Sequence, residues 1–253
     1  MDTPRCVAFI PARAGSIRIK EKNIQKLKGH PLIAYTIVAA LQANIFSDII
    51  VSTDSPKYAR ISEYYGGSVP FLRPKEYATE YSPDIEWLSY TLNRLMENGK
   101  YFDAFCILRP TSPFRLSSTI RRAWELFLLN DNIDSLRAVE KCHEHPGKMW
   151  IIRNNLLLPL LPFSLENQPW HNSPYQSLPE VYIQNASLEI AWTRVVLENR
   201  SISGTAIIPF IASGYEGFDI NNEEDWMIAE TLLQKNKAVL PEIINLPYEV
   251  VIE

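Results

Sequence analysis

The chain has 253 residues, enough to bury a full core, and its 46% hydrophobic and 21% charged residues are typical of a globular protein. A net charge of −4 argues against a general nucleic-acid or membrane-surface binder, and no apolar run approaches the about 18 residues of a membrane helix. Three cysteines without metal-ligand spacing, and an N-terminus without an apolar stretch, predict a reduced, cytoplasmic protein without a signal peptide.

The first predicted strand runs from Cys6 to Ile10 and stops at Pro11, as a buried strand of a parallel sheet does. The loop after it is basic, because residues 1–28 hold seven Lys/Arg against two acidic residues. A helix follows from Pro31, a residue that suits a first helical turn. Ligands of open α/β sheets bind beyond the carboxyl ends of the strands, so this loop predicts a site for a polyanion.

Strands and helices continue to alternate along the chain. The pattern predicts strands at 48–52, 68–72, 102–108, 134–139, 187–192, 204–208 and 218–221. It predicts helices at 56–65, 84–98, 117–130 and 223–234. This order favours a three-layer α/β/α fold with a mostly parallel, Rossmann-like central sheet, formed by a single domain over residues 1–253.

Residues 142–187 interrupt the alternation with six prolines and no helical period. An insertion of this length is typically functional or an oligomerisation arm, and we interpret it as an inserted subdomain. The segment 156–163 is too apolar to be left in water, so we expect it at a homodimer interface. Trp170 and His171 in the arm would contact a substrate or a partner subunit, or simply pack within the arm.

The motif Pro11–Ser16 in the first loop combines an arginine with small residues. The small residues, whose backbone amides can approach phosphate oxygens, are Ala12, Ala14, Gly15 and Ser16. Arg13 adds a forked anion-binding group, and the motif is not a Walker loop because it lacks the GxxxxGK[ST] pattern. A solvated surface loop is the alternative, but the position between the first strand and the first helix favours phosphate binding.

The blocks Ile10–Ser16, Lys22–Asn23 and Gly29–Leu32 closely resemble the opening signature of the acylneuraminate (CMP-sialic acid synthetase type) cytidylyltransferases. The resemblance recurs in the same order at 51–55, 72–74, 108–115, 178–182 and 218–221. The related 3-deoxy-octulosonate cytidylyltransferases usually carry Lys-Pro where this chain has Lys22-Asn23. The resemblance implies the nucleotide-diphospho-sugar transferase type of fold and two substrates, CTP and an α-keto acid sugar of the sialic, legionaminic or pseudaminic kind.

The resemblance also assigns roles to matching residues. It implies that Arg13 and Lys22 bind phosphate and promote the reaction, with the small residues of the motif completing the phosphate site. The residues matching cytosine-binding positions are Asn23, Arg73 and Asp84, the last as an acceptor for the cytosine amino group. The residues toward the sugar are Arg109, Thr111, Ser112, Tyr175 and Gln176. Asp219 matches a metal-binding aspartate and Asn221 stands beside it, which implies Mg²⁺ as cofactor.

Four positions depart from the commonest family pattern. Ile17 follows Ser16 where many relatives have lysine, so Arg18 or Lys20 must act in its place or the rate suffers. Asn221 replaces a second aspartate, which favours one Mg²⁺ over two. Arg109 replaces a glutamine, and Tyr175-Gln176 replaces an Arg-Gln pair. The last two departures suggest that the sugar carboxylate is held from a different side.

Several alternatives stay open at the level of sequence. Asp219 could be an acidic residue at a helix start rather than a metal ligand, and Glu189 could orient metal-bound water or a backbone turn. The same chemistry on an eight-carbon keto acid sugar is one rival function. A nucleotide- or sugar-binding homologue that has lost turnover is the second rival, motivated by Ile17 and Asn221. A glycosyltransferase ranks last, because the one candidate Asp-x-Asp motif lies late and ends in asparagine.

Overall fold

The computed structural model describes residues 3–165 and 168–249, which divide into two compact units. The larger unit contains residues 1–138 and 185–253, and the smaller unit contains residues 139–184. Among the described residues, no helix has both the length and the apolar character needed to cross a membrane.

A six-stranded sheet forms the centre of the larger unit. Its strands in chain order are β1 (Cys6–Pro11), β2 (Phe46–Ser52), β3 (Ala104–Ile107), β4 (Ser135–Lys141), β5 (Tyr182–Trp192) and β6 (Ile207–Ile211). Across the sheet the order is β6-β4-β5-β3-β1-β2. β1 pairs in parallel with β2 and β3, whereas β5 runs antiparallel to β3. This is the mostly parallel, Rossmann-like sheet that the sequence predicted.

Six helices in the described ranges cover the two faces of the sheet. They are α1 (Leu32–Ala43), α2 (Pro56–Tyr64), α3 (Asp84–Glu97), α4 (Ser117–Leu128), α5 (Thr193–Leu197) and α6 (Glu223–Gln234). Alternate residues of β1 point to opposite faces, so Ala8 and Ile10 pack in a cluster with α1, α2 and α4. Val7 and Phe9 belong to a second cluster with α3 and α5. The predicted three-layer α/β/α arrangement is thereby confirmed.

Two predicted strands are absent from the described structure. The segment 68–72 contributes a single bridge between Ser68 and Ile50, because Pro70 has no N–H with which to extend a ladder. The segment 218–221 is irregular, and its Ile220 N–H donates to the carbonyl of Thr111 (2.9 Å). Its place at the carboxyl end of the sheet is fixed by that bond rather than by strand pairing.

The smaller unit consists of short hairpins and 3-10 turns. Trp150–Arg153 pairs antiparallel with Leu156–Pro159, and the two residues between them, Asn154 and Asn155, have φ of 49° and 61°. Positive φ at both central positions is the type I′ geometry that asparagine tolerates. Further elements are the pair Ser164–Leu165 with Gln168–Pro169 and the 3-10 turns Pro146–Lys148, Trp170–Asn172 and Tyr175–Ser177. The role of this unit as a dimerisation arm stays a prediction.

Candidate active site

A cavity of about 520 Å³ opens at the carboxyl end of the central strands. Its walls come from the loop after β1, the segment before α3 with the start of that helix, the loop after β3, and Asn221. Nine of the residues to which the sequence assigned ligand binding line it: Arg13, Ser16, Lys22, Asn23, Arg73, Asp84, Arg109, Thr111 and Asn221. Ile17 and Arg18, from the position that departs from the family pattern and its proposed substitute, line it too. The topology therefore gathers residues from distant parts of the chain into one polar chamber.

The cationic end of the cavity contains Arg13 and Lys22. Within the described chain, the Arg13 side chain has no hydrogen-bond or ion-pair partner, so its guanidinium is available to an anionic ligand. Lys22 Nζ donates to the carbonyl of Ile220 (2.7 Å), which ties the first loop to the segment after Asp219. Burial lowers the pKa of Lys22, although Asp219 opposes the shift. Arg13 and Asp219 thus lie at the same end of the sheet.

The backbone amides of the first loop are less available than the sequence suggested. Ala12 N–H donates to Ser52 O (2.9 Å), and Ala14 N–H donates to Asp54 Oδ1 (2.9 Å). Ser16 N–H donates to the carbonyl of Ala14 (2.9 Å). These bonds give the loop its shape, so the expected cradle of amides is reduced to Gly15 and the side chain of Ser16.

Arg73 forms a rigid part of the cavity wall. Its Nε donates to Ser52 Oγ and its Nη2 to Ser52 O, both at 2.9 Å, and its guanidinium lies over the Trp87 ring at 4.8 Å. Burial lowers the pKa of Arg73 to about 10. Asn23, also buried, donates through Nδ2 to the carbonyl of Arg13 (3.3 Å). A guanidinium stacked on an aromatic ring, with an amide in the same cavity, suits a planar heterocycle.

Asp84 and Arg109, which the sequence placed on the base side and the sugar side, contact each other directly. Arg109 Nη2 donates to Asp84 Oδ2 (2.5 Å) and to Glu189 Oε1 (3.1 Å), and Arg137 lies 3.0 Å from Glu189 Oε2. The expectation that Arg109 holds the sugar carboxylate stays a prediction, and such a ligand would have to compete with these two carboxylates.

Thr111 and Ser112 occupy different environments. Thr111 lines the cavity, and its carbonyl accepts from Ile220 N–H. Ser112 is buried, and its Oγ has no hydrogen-bond partner among the described residues. Tyr175 and Gln176 belong to the smaller unit, where Tyr175 OH donates to the carbonyl of His143 (2.5 Å). Their predicted role in sugar binding is not tested by these contacts.

In the segment before α6, the residues that cap the helix differ from the residue that could bind a metal. Asn222 Oδ1 accepts from Asp225 N–H (2.8 Å), and Asp225 Oδ2 accepts from the amides of Asn221 and Asn222, which completes a capping box. Asp219 takes no part in it. Its Oδ2 accepts from Asn221 Nδ2 (2.8 Å), while its buried Oδ1 has no partner in the described structure. A buried carboxylate oxygen without a partner fits a cation ligand.

The donor set beside Asp219 is small. No group of three or more His, Cys, Asp or Glu residues able to hold a metal occurs among the described residues. Asp219 and Asn221 offer carboxylate and amide oxygens, the hard donors that Mg²⁺ prefers, and leave most positions to water and phosphate. The residues therefore fit a Mg²⁺ ion that arrives with a nucleotide.

Some lining residues were not identified from the sequence. Trp87, whose Nε1 donates to Asp84 Oδ1 (2.7 Å), lies three positions after Asp84 and so shares its face of α3. That spacing was a usable signal. Tyr77, Thr79, Glu80 and Ser82 also line the cavity, but they lie in a short 3-10 turn (Lys75–Tyr77) and in the irregular loop after it, whose course no local pattern determines.

Comparisons with known proteins identify the family of this chain. A family model described as Cytidylyltransferase matches residues 7–81. The CMP-N,N'-diacetyllegionaminic acid synthase of Legionella pneumophila subsp. pneumophila is 36% identical over 93% of this chain and 99% of its own length. The N-acylneuraminate cytidylyltransferase of Escherichia coli is 31% identical over 91% of this chain, which spans 52% of that longer relative. These matches confirm the resemblance found in the sequence.

Solved structures with the same fold are much more distant in sequence. A CMP:2-keto-3-deoxy-manno-octonic acid synthetase complexed with CTP superposes with a TM-score of 0.66 at 12% identity, covering 92% of this chain and 99% of that one. The 4-diphosphocytidyl-2C-methyl-D-erythritol synthase of Anaerococcus prevotii gives a TM-score of 0.62 at 13% identity, covering 92% of this chain and 100% of that one. At such identity the likeness concerns the fold.

Proposed function

The chain belongs to the cytidylyltransferase family, and we propose that it transfers CMP from CTP to the anomeric hydroxyl of a nonulosonic, sialic-acid-like α-keto acid sugar, with release of pyrophosphate. The observation that carries the proposal is the chamber in which Arg13, Lys22 and the segment of Asp219 meet. Relatives that match along this chain are named for legionaminic, sialic and pseudaminic acids, which supports a nine-carbon substrate over an eight-carbon one.

In this reaction the protein has to position the substrates and to offset negative charge on the leaving group. The oxygen of the anomeric hydroxyl forms a bond to the α-phosphorus and gives up its proton to water. The bond from that phosphorus to the bridging oxygen breaks, so pyrophosphate leaves with the electron pair. Arg13 and Lys22 would offset the negative charge that grows on the leaving group. Lys22 is suited to this because its bond to Ile220 O holds the ammonium in place before the nucleotide arrives.

Mg²⁺ would be held by Asp219 and Asn221, and when bound it would neutralise charge on the triphosphate oxygens. The support for this assignment is the unpartnered, buried Oδ1 of Asp219 and the separate capping box of α6. Asn221 would contribute its amide oxygen, since its Nδ2 already donates to Asp219.

The smaller unit supports the proposal of a homodimer. In the hairpin Trp150–Arg153 with Leu156–Pro159, apolar side chains on both strands are exposed, among them Ile152 (73%) and Leu156 (65%). A second copy of this chain would remove this surface from water.

The experiment is a product assay with CTP, UTP, ATP and GTP against a panel of nonulosonic and octulosonic acids, with Mg²⁺. Mass spectrometry identifies the nucleotide sugar, and pyrophosphate release gives the rate. We expect CMP-sugar from CTP and a nine-carbon acid. Failure to form any nucleotide sugar, together with a rise of Tm on adding CTP, would favour the binding homologue suggested by Ile17 and Asn221.

The Asp219→Asn variant, measured in the same assay, tests whether Asp219 belongs to the active site. We expect loss of metal-dependent turnover, because the variant keeps the shape and removes the charge. Asp131→Asn is the matched control, since it makes the same change at an exposed position. Equal activity of the two variants would remove Asp219 from the site.

A further inference from the structure

Four side chains of alternating charge form a continuous row that ends in the cavity. Arg137 on β4 pairs with Glu189 on β5, Glu189 pairs with Arg109 after β3, and Arg109 pairs with Asp84 at the start of α3. The three separations are 3.0, 3.1 and 2.5 Å. The row crosses adjacent strands, so the sheet itself sets its spacing.

Arg109 already pairs with two carboxylates of this row. The same Nη2 group serves both Asp84 and Glu189, and burial, which alone would lower the pKa of Arg109, is outweighed by these two carboxylates, which raise it. Glu189 has a side chain only 6% exposed and is balanced in turn by Arg137. Arg109 therefore keeps its charge and its position without any ligand.

The Asp84 carboxylate is fixed from two sides. Trp87 Nε1 donates to Oδ1 (2.7 Å) while Arg109 donates to Oδ2, so neither oxygen can rotate without losing a bond. Burial alone would raise the pKa of Asp84, but Arg109, together with Trp87 and the facing Arg73, lowers it. An ionised carboxylate has no proton to donate and acts only as an acceptor.

We propose that Arg109 is a positioning residue for nucleotide selection: anchored by Glu189, it holds Asp84 as an acceptor-only group that admits cytosine and rejects uracil. The inference rests on the proposed function in that it takes a pyrimidine nucleotide to bind this cavity. Cytosine carries an amino donor at C4, whereas uracil carries a carbonyl acceptor there. A site built around a hydrogen bond rejects an analogue that cannot make it, because a buried polar group is left unpaired.

The test is equilibrium binding of CTP and of UTP, each with Mg²⁺ and without sugar, measured by calorimetry. We expect the unmodified chain to prefer CTP, and Arg109→Gln to reduce the CTP:UTP affinity ratio by about tenfold or more. Asp84→Asn, which offers an amide N–H₂ to the uracil carbonyl, should lower the ratio further. Arg109→Lys should restore part of it, since one ammonium can serve both carboxylates.

A second readout separates positioning from general damage. In Arg109→Gln the pKa of Asp84 should rise, because burial then acts without its main counter-charge. As the pH is lowered, the affinity for CTP should therefore be lost at a higher pH than in the unmodified chain. Arg94→Gln is the control, since it removes an exposed guanidinium paired with Glu97 on the same helix.

The binding measurements can overturn this inference separately from the proposed function. An unchanged CTP:UTP ratio in both Arg109→Gln and Asp84→Asn, with native Tm, would overturn the inference. Because binding is measured without turnover, a chain that binds CTP selectively through Asp84 but forms no CMP-sugar would support this inference while refuting the proposed function.

Discussion

The Asp219 carboxylate shows that an acidic residue near the start of a helix does not necessarily stabilise that helix. Acidic residues near a helix start usually stabilise the helix, and Asp225 does so here through the amides of Asn221 and Asn222. Asp219 is left with a buried oxygen that has no partner in the described chain, a cost that a bound cation would relieve. The capping box thus frees Asp219 for another task.

Arg13 carries the first prediction at this scale. Replacing Arg13 with Ala should lower kcat/KM by about 10²–10⁴, because a charged contact to the leaving group is lost in the transition state. Steady-state kinetics with CTP varied would measure the effect. Arg60→Ala, which removes an exposed guanidinium from α2, should have little effect. Equal kinetics in the two variants would contradict the assignment.

Lys22 carries a prediction about pH. Burial lowers the pKa of Lys22. Its ammonium therefore loses its proton at a pH below the usual lysine pKa of about 10.4, and the affinity of the side chain for phosphate is lost with the proton. The alkaline limb of kcat/KM should accordingly lie below that value. Lys22→Arg should move the limb upward, because a guanidinium stays charged, whereas the exposed control Lys28→Arg should leave it in place. An unmoved limb in Lys22→Arg would exclude Lys22 as its source.

At the scale of elements, a buried arginine joins the loop after β3 to its neighbours. Arg115 is 1% exposed and donates to Ser187 O on β5, to Thr36 Oγ1 on α1 (3.0 Å) and to Arg109 O. Burial lowers its pKa to about 10, and in the described structure no carboxylate lies within ion-pair distance of it. Carbonyl and hydroxyl oxygens therefore carry the whole contact.

Arg115→Met should destabilise the fold by about 1–3 kcal/mol, since it leaves buried carbonyls without a donor. Urea unfolding monitored by fluorescence would give the change. kcat/KM should fall as well, because the loop that holds Arg109 and Thr111 loses its anchor. Arg115→Lys keeps a hydrogen-bond donor, so its stability and its kcat/KM should lie between those of Arg115→Met and those of the unmodified chain. A midpoint of unfolding equal to that of the unmodified chain would show that the contact is dispensable.

Elements with strong local signals could be predicted from the sequence. The bounds of α6 agree with the prediction at 223–234, and α2 begins at Pro56 as predicted, with Ser55 before it accepting from Tyr58 N–H as a cap. The predicted strands at 68–72 and 218–221 failed because strand pairing depends on a distant partner, which a local pattern does not contain.

The site was predictable only in part for a similar reason. Family motifs predicted residues that line one cavity, but not which of them contact each other. Asp84 and Arg109 are 25 positions apart, and Arg109 and Glu189 are 80 apart. Their pairing follows from strand order and register, with Glu189 aligned to Ile107 across β5 and β3. Such charge pairs appear only once the sheet is assembled.

At the scale of the whole molecule, the exposed hairpin predicts a dimer. Light scattering should give twice the 29.1 kDa mass of the chain. Ile152→Lys combined with Leu157→Glu replaces a facing apolar pair by a cross-strand ion pair, so the hairpin should persist while the dimer weakens. Leu129→Lys is the control, because Leu129 is an apolar residue of the larger unit that is more exposed than either hairpin residue. A monomer at micromolar concentration would refute the prediction.

The most direct test of the account is a crystal structure with CTP and Mn²⁺ in place of Mg²⁺, in which anomalous scattering locates the metal. We expect a triphosphate against Arg13 and Lys22, with Mn²⁺ about 2–2.5 Å from Asp219 Oδ1 and from phosphate oxygens. A nucleotide bound outside this cavity, or a metal remote from Asp219, would contradict it.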